Sequence, residues 1–302
     1  MPKRILLSWV FAALFVPSLS GAVDGVSEIN QASVLEAGGF PYQVLAPGSY
    51  RLTSNLDLRG LPDAANKTAI SVSISDVSID LNGFSIIGPT VCSGSPPSQP
   101  VICAPTGSGR GISAGGEWVT ITNGVIRGLG LLGITCGGNC RVERVKVEDC
   151  TTVGIQTGDG AILIANNSRG NGGSGLVAGL GAVIRENVVD QNGANGIVTN
   201  GSGVIANNTS NRNWIDGIAA GAASSVVSNV SWQNREDGIS GSSGTIVRDN
   251  SVFINDGYGL NFGGPGAVMG YVNNMISANT LGSVNGGIQL GSNVCGSATT
   301  CP

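Results

Sequence analysis

GIQTGDGAILIANNSRGNGGS (154–174), GLVAGLGAVIRENVVDQNGAN (175–195), GIVTNGSGVIANNTSNRNWID (196–216), GIAAGAASSVVSNVSWQNRED (217–237) and GISGSSGTIVRDNSVFINDGY (238–258) are versions of one 21-residue unit. A Gly-Ile or Gly-Leu pair opens each of them, and Gly259-Leu260 opens the next. Outward from this stretch, Gly133 keeps the 21-residue step, Gly111 precedes it by 22, and Gly287 follows Gly259 by 28, which reads as an insertion near the end. A unit this short cannot bury a core alone and must stack on its neighbours.

Aligning the units exposes columns. Twelve residues after the glycine stand Asn123, Asn166, Asn187, Asn208, Asn229 and Asn250, with Val145 the exception; seventeen after it stand Asn171, Asn192, Asn213, Asn234 and Asn255. Nine after it stand Thr120, Val142, Leu163, Ile184, Ile205, Val226 and Val247, and fourteen after it Val125, Val147, Ser168, Val189, Ser210, Ser231 and Val252. These small or β-branched residues are expected to point inward, together with the column Ile155, Leu176, Ile197, Ile218, Ile239 and Leu260. Helical repeats need apolar periodicity over about ten residues or more, and Gly or Asn interrupts every stretch within about eight. Three short strands and three turns per coil place equivalent residues ~4.8 Å apart. At that spacing asparagine amides hydrogen-bond along the column and suit the bends between strands. The chain reads as all-β, a single parallel β-helix with three short strands per 21-residue coil.

With VLAPGSYRL (44–52) and VSIDLNGFSI (77–86) upstream, these features resemble the right-handed parallel β-helix proteins of the pectin-lyase-like superfamily over roughly residues 27–290. The likeness is greatest to its uncharacterised bacterial secreted members, including the tail GSNVCGSATTCP. The resemblance implies a right-handed β-helix and makes polysaccharide the partner to consider. It fixes no activity, because lyases, hydrolases, epimerases and phage tailspikes share the fold. The polygalacturonase-type pattern includes a Gly-His-Gly, and this chain has no His. A pectate-lyase-like set of calcium aspartates with a matched basic residue is also missing.

Residues 1–22 carry Lys3 and Arg4, an apolar run from Ile5 to Val16, then Ser20-Gly21-Ala22, the pattern of a cleaved secretory signal. The run is 12 residues long, where a membrane span needs about 20, so no span is expected in the mature chain. Losing Lys3 and Arg4 with the leader takes the net charge from −4 to −6, which excludes an electrostatic nucleic-acid binder. Residues 23–43 are expected to form an N-terminal cap, with a short helix within 26–37 that uses Ser27 as N-cap and Gly38-Gly39 as stop. Residues 44–290 form the β-helix, interrupted at 88–109 by a Pro-, Ser- and Gly-rich loop, and 291–302 form a tail with its own disulfide. The cysteines of an exported chain pair locally as Cys92 with Cys103, Cys136 with Cys140 and Cys295 with Cys301. Cys150 falls in the second asparagine column and is expected to be a buried free thiol.

Function must sit on outward columns, since the inside is filled. Fifteen after the glycine stand Ile126, Glu148, Arg169, Asp190, Asn211, Trp232 and Phe253; Glu148, Arg169 and Asp190 there suggest a surface ion-pair ladder of small energetic value. In the late coils, register stacks Asp216, Asp237 and Tyr258 in one column, Ile215, Glu236 and Gly257 in the next, and Trp214, Arg235 and Asp256 in a third. Trp214, Trp232 and Tyr258 suit the apolar faces of sugar rings, and Asp216, Asp237, Glu236 and Arg235 are the candidate catalytic groups. Two aspartates one rung apart fit the close carboxyl pair of a retaining glycosidase. They fit equally the turn residues that Asx chemistry favours. No cofactor motif is present, and calcium held by Asp216, Asp237, Glu236 or Asp256 is an open alternative. Two functions follow: an exported β-helix that binds polysaccharide or serves as a cell-surface or periplasmic scaffold, or a polysaccharide lyase or glycoside hydrolase using these late-coil carboxylates.

Overall fold

The computed structural model describes residues 25–263, 268–296 and 301, so the expected leader at 1–22 lies outside the described residues. The chain winds into a parallel β-helix with three strand positions per coil. One face is an 11-stranded parallel ladder that includes Leu176–Leu180, Ile197–Gly201 and Ile218–Ala222. The second face holds Ile162–Ile164, Val183–Arg185 and Val204–Ala206, and the third holds Asn167–Arg169, Val188–Asp190 and Thr209–Asn211. Thr120–Arg127 and Arg141–Glu148 run through both of these faces and join them into one sheet.

The corner between second and third faces shows why asparagine recurs. Ala165, Glu186, Asn207, Ser228 and Asp249 adopt left-handed φ of 53–61°, which bends the chain, and the following asparagine turns inward. Each buried amide then has its full set of partners. Asn208 donates its backbone N–H (2.9 Å) and its amide (3.0 Å) to Asn229 Oδ1 and a second amide hydrogen to the Ile184 carbonyl (2.9 Å). Its own Oδ1 accepts both from Asn187, at 3.0 and 2.9 Å. The column continues through Asn274 to Asn293, and the second column through Asn279. Cys150, buried and free, replaces an amide in that second column, with its N–H donating to Asn171 Oδ1 at 3.1 Å.

The column Ile155, Leu176, Ile197, Ile218, Ile239 and Leu260 is continuous and wholly buried. Its preceding glycines are obligatory. A Cβ on Gly196 would fall inside contact distance of Ser210 Oγ and of Asn213 Nδ2, the inward groups one corner away, so even a methyl is excluded.

Register corrects the alignment at both ends of the array. The 22-residue coil after Gly111 shifts everything by one: Ile121 pairs with Val142, Ile126 with Val147 and Arg127 with Glu148. Thr120, Val125 and Ile126 therefore leave the columns first given to them. Asn123, with φ 59°, takes the bend position before Gly124 and lies outside the ladder. Near the end, Leu260 pairs with Val284, so Ser283 stands where the next glycine was expected and Gly287 is not part of the repeat.

At the N-terminal end Val26–Ile29 is a strand paired with Gly48–Leu52, so Ser27 caps nothing. The helix is Gln31–Glu36, opened by a capping box in which Asn30 Oδ1 accepts from the Ser33 N–H (2.9 Å) and Ser33 Oγ accepts from the Asn30 N–H. Strand pairing with the first coil outweighs the weak helical stripe of 26–29. Gly38 and Gly39, both at positive φ, stop the helix, and its Val34 is buried in the core. The 88–109 excursion is an antiparallel hairpin of Val91–Ser95 and Gln99–Ala104, closed by Cys92–Cys103; the other two disulfides are Cys136–Cys140 and Cys295–Cys301. These crosslinks belong to an oxidising, extracytoplasmic compartment.

Two outcomes test this construction. Asn208→Leu orphans the buried Asn187 N–H and the Ile184 carbonyl and should cost ~2–4 kcal/mol in denaturant unfolding. Asn166→Leu, at the ladder's first rung, likewise strips the Val145 N–H and the Val142 carbonyl and lacks only a side-chain donor from the coil before it, so it should cost nearly as much. Burial pushes the Cys150 thiol up to about 12, so alkylation should modify it only after unfolding, leaving the three disulfides intact under both conditions.

Candidate functional site

The late-coil candidates sit on the turn between the third face and the 11-stranded face. Asp216 and Asp237 do form one column, with Asn195 before them and Tyr258 after. Asn195 Oδ1 accepts the Asp216 N–H (3.0 Å), Asp216 Oδ1 the Asp237 N–H (3.0 Å), and Asp237 Oδ1 the Tyr258 N–H (2.7 Å). Their second oxygens are also occupied: Ser240 Oγ donates to Asp216 Oδ2 at 2.6 Å, and Asn261 Nδ2 to Asp237 Oδ2 at 2.5 Å. This is a third ladder, in which an aspartate does what Asn195 does one coil earlier.

Burial, resisted by the Ser240 and Asp237 hydrogen bonds and reinforced by the charges of Asp237 and Glu236, pushes the Asp216 carboxyl up to about 6. Beside this column, the Arg235 guanidinium lies 4.0 Å from the centre of the Trp214 ring, while Glu236 and Asp256 are exposed. Trp214, Arg235, Asp216, Asp237 and Tyr258 are thus brought together on one turn. Trp232 is not with them. It belongs to the third face, paired with Asn211, and stacks on Phe253 with ring centres 6.1 Å apart. Among the described residues no three His, Cys, Asp or Glu side chains converge as a metal cage would require.

The sequence columns missed what the aspartates are tied to. Ser240 and Asn261 line an open groove of ~340 Å³ on the 11-stranded face, with Val198, Ala219, Gly221 and Gly241 among its walls. Small residues such as Ala219, Gly221 and Ser240 leave this depression in the sheet surface. Outward Ser, Ala and Gly carry no periodic signal of their own, so register alone gave no hint of a depression.

No protein-family model and no curated protein matches this chain. Among solved structures it superposes on the periplasmic alginate epimerase AlgG with a TM-score of 0.60 at 16% identity, covering 89% of this chain and 72% of that one. For pectate lyase Pel9A the TM-score is 0.57 at 15% identity, over 86% and 78% of the two chains. The fold that these likenesses show is the parallel β-helix. A third likeness, to the A-module of the Azotobacter vinelandii mannuronan C-5 epimerase AlgE4, has a TM-score of 0.53 at 14% identity over 83% and 72% of the chains. At such identities the parallel β-helix architecture is what the chains share, and residue roles do not transfer.

The Asp216 ladder makes a pH prediction. The folded chain holds this proton more tightly than the unfolded one, so the stability linked to it is present at low pH and is lost as pH rises from about 4 through about 6. Asp216→Asn keeps both ladder bonds without the buried charge. Its unfolding free energy at pH 8 should exceed that of the native chain by about 1–2 kcal/mol, and the gap should close near pH 4.

Proposed function

We propose that this protein is an exported polysaccharide-binding β-helix that holds a neutral glycan along the late-coil groove without cleaving it. The observation that carries binding over turnover is the double occupation of both candidate carboxylates. A general acid or base needs an oxygen free to reach substrate, and all four oxygens of Asp216 and Asp237 accept hydrogen bonds inside the turn. The groove lined by Ser240 and Asn261 is open, and Trp214, two residues before Asp216 on the adjoining turn, adds an aromatic ring with Arg235 over one face.

Charge supports a neutral ligand. Asp216, Glu236, Asp237 and Asp256 outnumber Arg235 on this turn, so a polyuronate such as the alginate for which the epimerase AlgG is named would meet like charge. Export is supported by the leader pattern of residues 1–22 and by the disulfides.

Binding and product release measured side by side on a panel of neutral and acidic polysaccharides test this reading. The native chain should bind a neutral glycan and release no oligosaccharide. Trp214→Ala should weaken that binding about tenfold or more, while Asp216→Asn and Asp237→Asn bind as the native chain does. Product release that either aspartate substitution abolishes would establish the lyase or hydrolase reading instead.

A further inference from the structure

The 88–109 segment leaves the coil but does not stand free of it. Its hairpin of Val91–Ser95 and Gln99–Ala104 folds back across later coils, where Cys92 Sγ and Cys103 Sγ each rest 3.7 Å from the Cys150 carbonyl oxygen. A Cβ on Gly172 would meet Cys103 Sγ at 3.0 Å, so the disulfide packs on the bare backbone there. At the hairpin's foot, Thr90 donates its N–H to the Gly128 carbonyl and its hydroxyl to the Pro105 carbonyl. The hairpin is therefore a fixed wall. Between it and the corner of the third face lies a cleft of ~210 Å³ lined by Ser93, Gly94, Glu148, Asp149, Arg169 and Gln191.

The ion-pair ladder expected along this column forms in part. Arg169 pairs with Asp190 (3.5 Å) and bonds Gln191 Oε1 (2.9 Å), but Glu148, in register with Arg169, pairs with Lys146 on its own strand (2.6 Å) instead. Asp190 is in turn gripped by both guanidinium nitrogens of Arg212, at 2.9 and 2.8 Å. Asp149 is left over. Its side chain accepts no hydrogen bond from any described residue, although it is half-buried beside Glu148 under the hairpin. Burial first, and the Glu148 charge second, hold its carboxyl above the usual range, with Lys146, Arg127 and Arg169 pulling the other way.

We infer that the cleft beneath the Cys92–Cys103 hairpin is a second ligand site, which takes one pyranose unit of a neutral sugar and holds its hydroxyls on Asp149, Arg169 and Gln191. The lining combines acceptors (Glu148, Asp149) with donors (Arg169, Gln191) and has no aromatic ring, which selects a ligand that is itself dense in hydroxyls. With Glu148 paired to Lys146, Asp149 and Arg169 leave the cleft without the surplus positive charge that an anionic sugar would need. A volume of this size admits a single ring rather than a chain. Insertions in solenoids commonly wall their binding faces, and this site shares no residue with the late-coil groove. It stands or falls independently of that groove.

Titration of the native chain with the methyl glycosides of glucose, galactose, mannose and N-acetylglucosamine, and with the methyl glycoside of galacturonic acid as its free carboxylate, decides the matter by saturation-transfer NMR and calorimetry. At least one neutral glycoside should bind, and the uronate should not. Asp149→Asn should weaken that binding about tenfold, as loss of one charge-assisted hydrogen bond implies, without lowering the melting temperature. Ser93→Trp, which fills the cleft from the exposed hairpin, should abolish it, while Trp214→Ala leaves it unchanged. If no neutral glycoside binds, or if Asp149→Asn and Ser93→Trp bind as the native chain does, the assignment is overturned. Monosaccharide binding lost in Trp214→Ala would also overturn it by moving the site to the groove.

Discussion

Everything in this molecule depends on amide groups that meet their own copies one rung away. A parallel coil leaves its corners as the weak points: backbone N–H groups there point into a dry interior with no strand partner, and each unsatisfied one is expensive. The asparagine columns remove that problem. Beyond the first rung every Oδ1 accepts a backbone N–H and a side-chain N–H from the coil before it, and the amide nitrogen also reaches a carbonyl, as at Asn208, or a serine hydroxyl, as at Asn213. Because this bonding works only between equivalent positions, it pins the corners in register even where a coil is longer, as between Asn250 and Asn274, and where coil length is constant every outward column aligns.

That alignment is why so much was readable in advance. The 21-residue period, the buried Ile and Leu column, the two amide columns, the free Cys150 and the stacking of Asp216 on Asp237 all follow from one spacing. The errors cluster where the spacing changes. The coil after Gly111 has one extra residue, which displaced Asn123 and Ile126, and the coil after Asn250 has three, which made Gly287 look like a repeat glycine. Ser27 failed for another reason: edge pairing with Gly48–Leu52 is a long-range contact that overrides local helix preference.

The sites were less legible than the scaffold. Register correctly gathered Trp214, Arg235, Asp216, Asp237 and Tyr258, because neighbours in a column are neighbours in space. It said nothing about Ser240 and Asn261, whose hydrogen bonds to the aspartates decide between a catalytic and a structural role. Trp232 was grouped with them on sequence proximity, yet it sits one corner away on a flat strand. The hairpin cleft was beyond reach altogether. A Pro-, Ser- and Gly-rich insertion advertises that it leaves the coil, but where it lands depends on a gap at Gly172 that has other uses in the repeat.

The amide columns also have a direction. Each Nδ2 donates toward the higher-numbered coil, from Asn166 through to Asn293, and the first rung is met by plain backbone N–H groups from Val145 and Cys150. An interior coil therefore presents the same donors above and the same acceptors below as any other. Duplication or loss of one whole period within 154–258 recreates the joint it breaks, so genetic change in this region is filtered by length in steps of a full coil. The reach of the outer surface is in that sense a heritable quantity, free to drift while the interior chemistry stays the same.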